Sequence, residues 1–438
     1  MDVTDRAGSI GRAVQSQIYR AGALGRRPAV PVSPDRLERA ARRRMSPRAW
    51  AYVAGAAGQQ RTAQANLDAF GQWRIVPRML RDVDVRDTTV ELFGRRLRAP
   101  FLLAPIGVLE MAHPEGDVAV ARAAAGLDVP MIISTQGSAP MEATADALGA
   151  TQRWFQLYWS RDRDLVASFV RRAEAIGSTA IVVTLDTHLL GWRTRDLDLA
   201  YLPFARGLGI AQYTSDPVFS DLVRQRAGRP REGDRPKPTP AAIRTLASMA
   251  RSYPGGFWSN LRSPEPRAAV ETFLDVFSNP ALTWKDLAFL RERTTLPILL
   301  KGIQDRRDAA TALDHGADGI VVSNHGGRQV DGAIGALDAL PGIVEEVGGS
   351  VPVLFDSGIR GGAVAFKAIA LGARAVLVGR PYVYGLALAG SAGVTEVMRN
   401  LLAELDLTMG LTGCATVADI TADLLHPSGG GDTVTAGR

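Results

Sequence analysis

Eight short apolar runs recur along the chain: Phe101 to Ala104, Pro130 to Ser134, Trp154 to Leu157, Ala180 to Leu185, Pro297 to Lys301, Gly319 to Ser323, Pro352 to Phe355 and Ala375 to Val378. Each has strand length and is rich in Val, Ile, Leu or Phe, and apolarity without alternation suits a parallel strand covered on both faces. Most are separated by segments whose apolar residues fall three and four apart, as in Asp164 to Ile176, Arg306 to His315 and Gly362 to Leu371, which predicts helices. Eight alternations favour a closed (β/α)8 barrel over an open doubly wound sheet, and such a barrel carries its chemistry at the C-terminal ends of its strands.

Two stretches break this rhythm. Residues 1–99 read as an N-terminal extension, helical over Pro34 to Arg44 and Pro47 to Ala57, that caps a barrel spanning residues 100–411. After the fourth strand comes a long insertion, placed at 197–280, which contains the proline-dense segment Arg229 to Pro240. Proline at that density continues neither strand nor helix, so a surface loop poised as a lid over the site is expected there. Residues 412–438 form a C-terminal segment in which Gly429 to Gly431 marks a flexible tail.

Composition then removes whole classes. With 46% hydrophobic and 22% charged residues in 438, disorder and fibrous repetition are excluded. The single cysteine, Cys414, allows no internal disulfide and no Cys-rich centre, which fits a reducing cytoplasm. No apolar run is long enough to cross a bilayer, and Met1 to Gly25 has no continuous apolar core, so no membrane partner or secretion signal is expected. The net charge of +6 is spread along the chain apart from Arg42-Arg43-Arg44, which argues against a nucleic-acid partner. No two histidines have metal-ligand spacing, so no metal is expected.

Polar residues at strand ends are the candidates for chemistry. Ser323-Asn324-His325-Gly326-Gly327-Arg328-Gln329 follows the sixth strand, where a histidine can act as a general base and an arginine can hold a carboxylate; the bland alternative is a turn with a surface histidine. Asp356-Ser357-Gly358-Ile359-Arg360 follows the seventh strand and Gly379-Arg380 the eighth, together a phosphate cradle, with Asp356 suited to sugar-like hydroxyls. Lys301 ends the fifth run and either stabilises negative charge on an electron-rich ring or pairs with a nearby acid. Thr184 and Asp186 share one side of the fourth strand, so Asp186 can orient His325, while Arg193 beyond it can clamp a substrate acid or pair with Asp196 or Asp198 at the surface. Gln156 and Tyr158 face one interior, as amide and phenol donors or as packing.

Read together, Ala104-Pro105-Ile106-Gly107, His113-Pro114-Glu115-Gly116, Phe155-Gln156-Leu157-Tyr158, Thr184-Leu185-Asp186, Leu300-Lys301-Gly302 and the two stretches beginning at Ser323 and Asp356 resemble, in order, the FMN-dependent L-2-hydroxy acid oxidases and dehydrogenases. The resemblance covers Pro47 to Leu411, and the stretches Leu190 to Phe204 and Val378 to Tyr382 are most similar to its lactate 2-monooxygenase branch. It implies an FMN-binding (β/α)8 barrel in which His325 is the base, Arg328 and Arg193 clamp the substrate carboxylate, and Tyr52 and Tyr158 hydrogen-bond the substrate. Pro105, Ile106, Gly107, Ser134, Gln156, Thr184, Lys301 and Ser323 would then surround the flavin ring and ribityl chain, with Asp356, Ser357, Gly358, Ile359, Arg360, Gly379 and Arg380 at the lower ribityl and phosphate. The usual Asp-Gly-Gly of the family is Asp356-Ser357-Gly358 here.

The implied reaction is oxidation of a 2-hydroxy acid, with L-lactate and O2 giving acetate, carbon dioxide and water as the first expectation. An oxidase or dehydrogenase releasing the keto acid is the near alternative, and a barrel that uses FMN or phosphate without net redox the distant one. The resemblance also implies a homo-oligomer, a tetramer or an octamer.

Overall fold

In a computed structural model, residues 9–229 and 239–428 are described. The eight apolar runs form eight parallel strands: β1 (Phe101–Leu103), β2 (Met131–Ser134), β3 (Arg153–Leu157), β4 (Ile181–Thr184), β5 (Ile298–Ile303), β6 (Gly319–Val322), β7 (Val353–Phe355) and β8 (Ala375–Val378). Each pairs with the next in sequence and β8 closes on β1, so the sheet is a barrel with no edge. The expected (β/α)8 fold is the observed one. Every residue of β1, β2, β4, β6, β7 and β8 is buried, which accounts for the unbroken apolarity of the runs. Pro130, Pro297 and Pro352 stand one residue before β2, β5 and β7, because proline has no N–H to give the ladder.

Among the described residues, four helices precede the barrel: α1 (Ile10–Ala23), α2 (Pro34–Arg44), α3 (Pro47–Ala54) and α4 (Arg61–Gly71). Proline opens α2 and α3, where its fixed φ suits the first helical position. α3 ends at Ala54 rather than at Ala57, since the chain turns into extended backbone at Gly55. The sequence reading missed α1 and α4. α1 is tied down by the buried Asp406, which accepts from Ser9 Oγ (2.5 Å) and the Gly11 N–H (2.9 Å) and pairs with Arg86 at 2.9 Å.

The sequence reading gave the insertion no structure beyond its proline-dense segment. Its described part is mostly helical, with helices at Pro217–Ala227, Pro240–Ser252 and Glu265–Val276, so Pro240 opens a helix instead of closing a loop. Residues 230–238 of the proline-dense segment, and the Gly429 to Gly431 run, lie outside the described residues. Its core is aromatic: Tyr213 meets Phe273 edge-on at 4.8 Å between centroids, and Phe273 stacks on Phe277 at 5.0 Å. Buried Asp216 joins it to the barrel, accepting from Ser168 Oγ (2.8 Å) and pairing with Arg172 (3.2 Å). These aromatics have no period that a sequence pattern reveals, whereas the prolines stand out.

Candidate active site

One cavity opens at the C-terminal ends of the strands, lined among others by Tyr52, Pro105, Ile106, Gly107, Tyr158, Thr184, Arg193, Lys301, His325, Arg328, Asp356, Ser357, Gly358, Ile359, Arg360, Gly379 and Arg380. Ser134, Gln156 and Ser323 are buried but do not line the cavity, Ser323 reaching it through its hydrogen bond from Lys301, and Asp186 stands behind His325.

His325 carries φ +57°, a left-handed conformation that a non-glycine residue adopts under tertiary constraint, and Gly326 and Gly327 continue it at +66° and +76°. A Cβ at Gly327 would lie 2.5 Å from the Ala63 nitrogen on α4, so that position excludes a side chain, and one at Gly326 would lie 2.9 Å from Arg380 Nη1 and displace that guanidinium. The turn presents the imidazole with Nδ1 2.7 Å from Asp186 Oδ1, leaving Nε2 toward the cavity, 3.5 Å from the Tyr158 hydroxyl. Thr187 donates to the same Asp186 oxygen at 3.0 Å. Gly302, at φ +110°, makes room for this pair, because a Cβ there would stand 2.8 Å from that of Asp186. Burial lowers the His325 pKa below its ordinary value and outweighs the opposing pull of Asp186. Burial raises that of Asp186, but His325 and Lys301 more than offset it and hold the carboxyl at about 2. The imidazole is therefore neutral, and its carboxylate ionised, at neutral pH.

Four arginines, Arg193, Arg328, Arg360 and Arg380, reach the cavity, and helix α3 orients Arg328 and Arg380. Arg328 Nη1 donates to the carbonyls of Tyr52 and Gly55 and its guanidinium lies 5.1 Å from the Tyr52 ring centroid. Arg380 donates to the carbonyls of Val53 (3.1 Å), Gly55 (3.0 Å) and Gly326 (3.1 Å). The unpaired carbonyls at a helix C-terminus are thus satisfied by cations, and each arginine keeps N–H groups for a ligand. Burial pushes the pKa of Arg328 down to about 9 and that of Arg380 to about 10, so both stay charged. Arg193 is buried and makes no ion pair with Asp196 or Asp198 among the described residues, contrary to the surface alternative.

Lys301 pairs with Asp356 at 3.0 Å and donates to Ser323 Oγ at 2.8 Å. Burial lowers its pKa, but Asp356 and Asp186 outweigh that and raise it overall. Asp356 therefore meets Lys301 and the Ser357 hydroxyl (2.8 Å), with only its remaining lone pairs free for a sugar-like hydroxyl. Ser357 has φ +77°, the left-handed value that the family's glycine would take, and its Oγ accepts from the Asn324 and Gly326 N–H groups.

Two buried polar atoms on neighbouring strands have no partner among the described residues: Gln156 Nε2 on β3 and Thr184 Oγ1 on β4. Each orphan costs about 1–3 kcal/mol unless a ligand satisfies it. A donor amide, a hydroxyl and a fixed lysine along one buried wall suit the polar edge of a flavin ring. Ser357-Gly358 and Gly379 leave backbone open at the opposite end beside Arg360 and Arg380, and this suits a phosphate.

Sequence reasoning missed several members of the site. Gln136, Thr187, Leu190, Phe204 and Phe277 also line the cavity, the last two from the insertion. Asn66 on α4 exchanges two amide hydrogen bonds with Asn324 (2.8 and 2.6 Å), clamping the His325 loop to the N-terminal helices. A lone asparagine in a helix gives no sign of such a contact. Thr187, adjacent to Asp186, was open to notice.

A barrel with these groups at its mouth defines a flavin-type oxidoreductase of 2-hydroxy acids, and comparison with known proteins supplies the family. The model of the FMN-dependent dehydrogenases matches residues 41–427. An FMN-dependent alpha-hydroxy acid dehydrogenase of Penicillium citrinum is 43% identical over 94% of this chain and 95% of its own, and an L-lactate oxidase of Lysinibacillus sphaericus is 39% identical over 87% and 89%. A crystal structure of mandelate oxidase with (S)-4-hydroxymandelic acid superposes with a TM-score of 0.74 at 37% identity, over 90% of this chain and 98% of that one. The chain belongs to the FMN-dependent dehydrogenase family, and FMN is its cofactor. Among the described residues, no helix is long and apolar enough to cross a membrane and no cluster of side chains could hold a metal.

Proposed function

We propose that the protein oxidises an L-2-hydroxy acid, with L-lactate and O2 converted to acetate, carbon dioxide and water. The observation that carries this reading is one cavity holding a neutral histidine backed by an ionised aspartate, beside buried Arg193 and half-buried Arg328, neither of which pairs with a carboxylate among the described residues. Arg193 and Arg328 take the substrate carboxylate on their free N–H groups. Tyr52 and Tyr158, whose phenols burial keeps protonated, donate to the substrate oxygens. His325 accepts a proton at Nε2, and Asp186 stabilises the imidazolium so formed. FMN, when bound, would supply the acceptor for the two electrons. Gln156, Thr184, Ser134, Ser323 and Lys301 would hold its ring, the charge of Lys301 offsetting the negative charge the ring gains. Asp356 to Arg360, Gly379 and Arg380 would hold ribityl and phosphate.

The insertion supports retention of the keto acid while oxygen reacts, because Phe204 and Phe277 wall the cavity from a packed aromatic core. Gly107 supports the same branch: a Cβ there would stand 2.8 Å from that of Gln136, so alanine would displace the wall beside Pro105-Ile106. Product analysis under air tests this. L-lactate should yield acetate and carbon dioxide with little peroxide, and Gly107→Ala should shift products toward pyruvate and hydrogen peroxide. Stoichiometric pyruvate and peroxide from the unaltered protein would assign it to the oxidases instead, and flavin reduction without oxygen consumption to the dehydrogenases. Exposed Leu189, Trp192, Leu197 and Val330 near the mouth support a homo-oligomer, and lone buried Cys414 supports a cytoplasmic setting.

A further inference from the structure

Gln329 ends the stretch that carries His325 and Arg328, yet the reaction above gives it no role. Its carboxamide makes three hydrogen bonds, all to the segment after β4. Oε1 accepts from Arg193 Nη2 at 3.0 Å, while Nε2 donates to the carbonyls of Asp186 (2.6 Å) and Leu189 (2.8 Å). One side chain thus spans the distance between the partner of the base and the arginine of the carboxylate site. The backbones approach as closely: Arg193 Nε donates to the Arg328 carbonyl at 3.4 Å, and a Cβ on Gly191 would lie 2.4 Å from that carbonyl oxygen and 2.8 Å from Gln329 Cα.

The choice of an amide has a consequence. Arg193 is 93% buried, and its side-chain acceptors are the neutral Gln329 Oε1 and a backbone carbonyl. An acid in place of Gln329 would aim the guanidinium equally well but would neutralise it before substrate arrived. The amide fixes direction without consuming charge.

We propose that Gln329 is a positioning residue that aims Arg193 at the substrate carboxylate while leaving its charge available. The proposal rests on the reading of Arg193 as a carboxylate-binding group. A residue that merely staples two loops would alter stability alone, and one acting through Asp186 would alter the pH dependence of the base.

Two variants of the FMN-loaded enzyme separate these roles. Gln329→Met keeps length and bulk but removes all three bonds; Gln329→Glu keeps the acceptor and adds the opposing charge. Pyruvate binding is read from the change in flavin absorption, alongside KM and kcat for L-lactate and the pH profile. Pyruvate binding should weaken about tenfold in the Met variant and further in the Glu variant. KM should rise in parallel, with kcat within about threefold and, in the uncharged Met variant, the pH profile unmoved. Unchanged pyruvate binding in both variants overturns the positioning role, and so does a fall in kcat at constant KM. If the Met variant does not fold, the isosteric Glu variant decides alone: equal or tighter pyruvate binding rejects the proposal. An unaltered protein that neither binds pyruvate nor oxidises any L-2-hydroxy acid overturns the underlying reading as well.

Discussion

Two buried acid–base pairs sit on neighbouring strand ends and behave in opposite ways. His325 with Asp186 and Lys301 with Asp356 are both short contacts, at 2.7 and 3.0 Å. In the first, burial outweighs the carboxylate and lowers the cation's pKa; in the second, two carboxylates outweigh burial and raise it. The same partner type thus gives a neutral base in one place and a permanent charge in the other. The difference lies in the neighbouring charges: two carboxylates draw Lys301 upward, whereas His325 has one carboxylate and is opposed by the positive charges of Lys301 and Arg193 as well as by burial. Proton transfer needs the first behaviour, and stabilising an electron-rich ring needs the second.

The sharpest way to break the contrast is to remove the group that titrates. His325→Ala should keep FMN and lose about 10²- to 10⁴-fold in anaerobic flavin reduction by substrate, as expected for loss of a general base. Near-normal reduction would show that His325 is only structural. Removing the fixed charge should register in stability as well as in rate. Lys301→Met leaves Asp356 buried without its cation and should cost about 3–5 kcal/mol in urea unfolding. A loss below about 1 kcal/mol would mean that the pair is solvated enough not to matter.

Smaller effects are expected where charge is kept and geometry is changed. Arg193→Lys and Arg328→Lys should each weaken carboxylate binding about tenfold, since a compact ammonium cannot reproduce a planar two-pronged contact. Equal affinity in both would remove the arginines from the substrate site and leave the two acid–base pairs without a ligand to act on.

The barrel was legible because unbroken apolar runs have one economical explanation, and polar residues at their ends point into its mouth. His325, Asp186, Lys301 and Arg193 could therefore be proposed one by one, and the structure brings His325, Lys301 and Arg193 into one cavity with Asp186 hydrogen-bonded behind the histidine. What joins them left no pattern. Gly302 yields space to Asp186 from another strand, Asn66 reaches Asn324 across 258 residues, and the C-terminal carbonyls of α3 hold Arg328 and Arg380. Each depends on close approach between distant segments, and neither hydrophobic period nor capping preference encodes that. The helices of the insertion were not foreseen for the same reason: its aromatic core is assembled from residues far apart, while its prolines stand close together in sequence.

The most direct test of the central claim is the pH dependence of anaerobic flavin reduction by L-lactate in the unaltered protein and in Asp186→Asn. His325 has its pKa lowered from 6.5, so the reactive neutral form persists through neutral pH and is lost only as pH falls through the lowered value. The account predicts an acid limb centred below pH 6.5. It also predicts that the limb moves lower still in Asp186→Asn, because that carboxylate is what draws the pKa upward. A limb above pH 6.5, or one that Asp186→Asn leaves in place, would contradict the assignment of His325 as a base held neutral by burial.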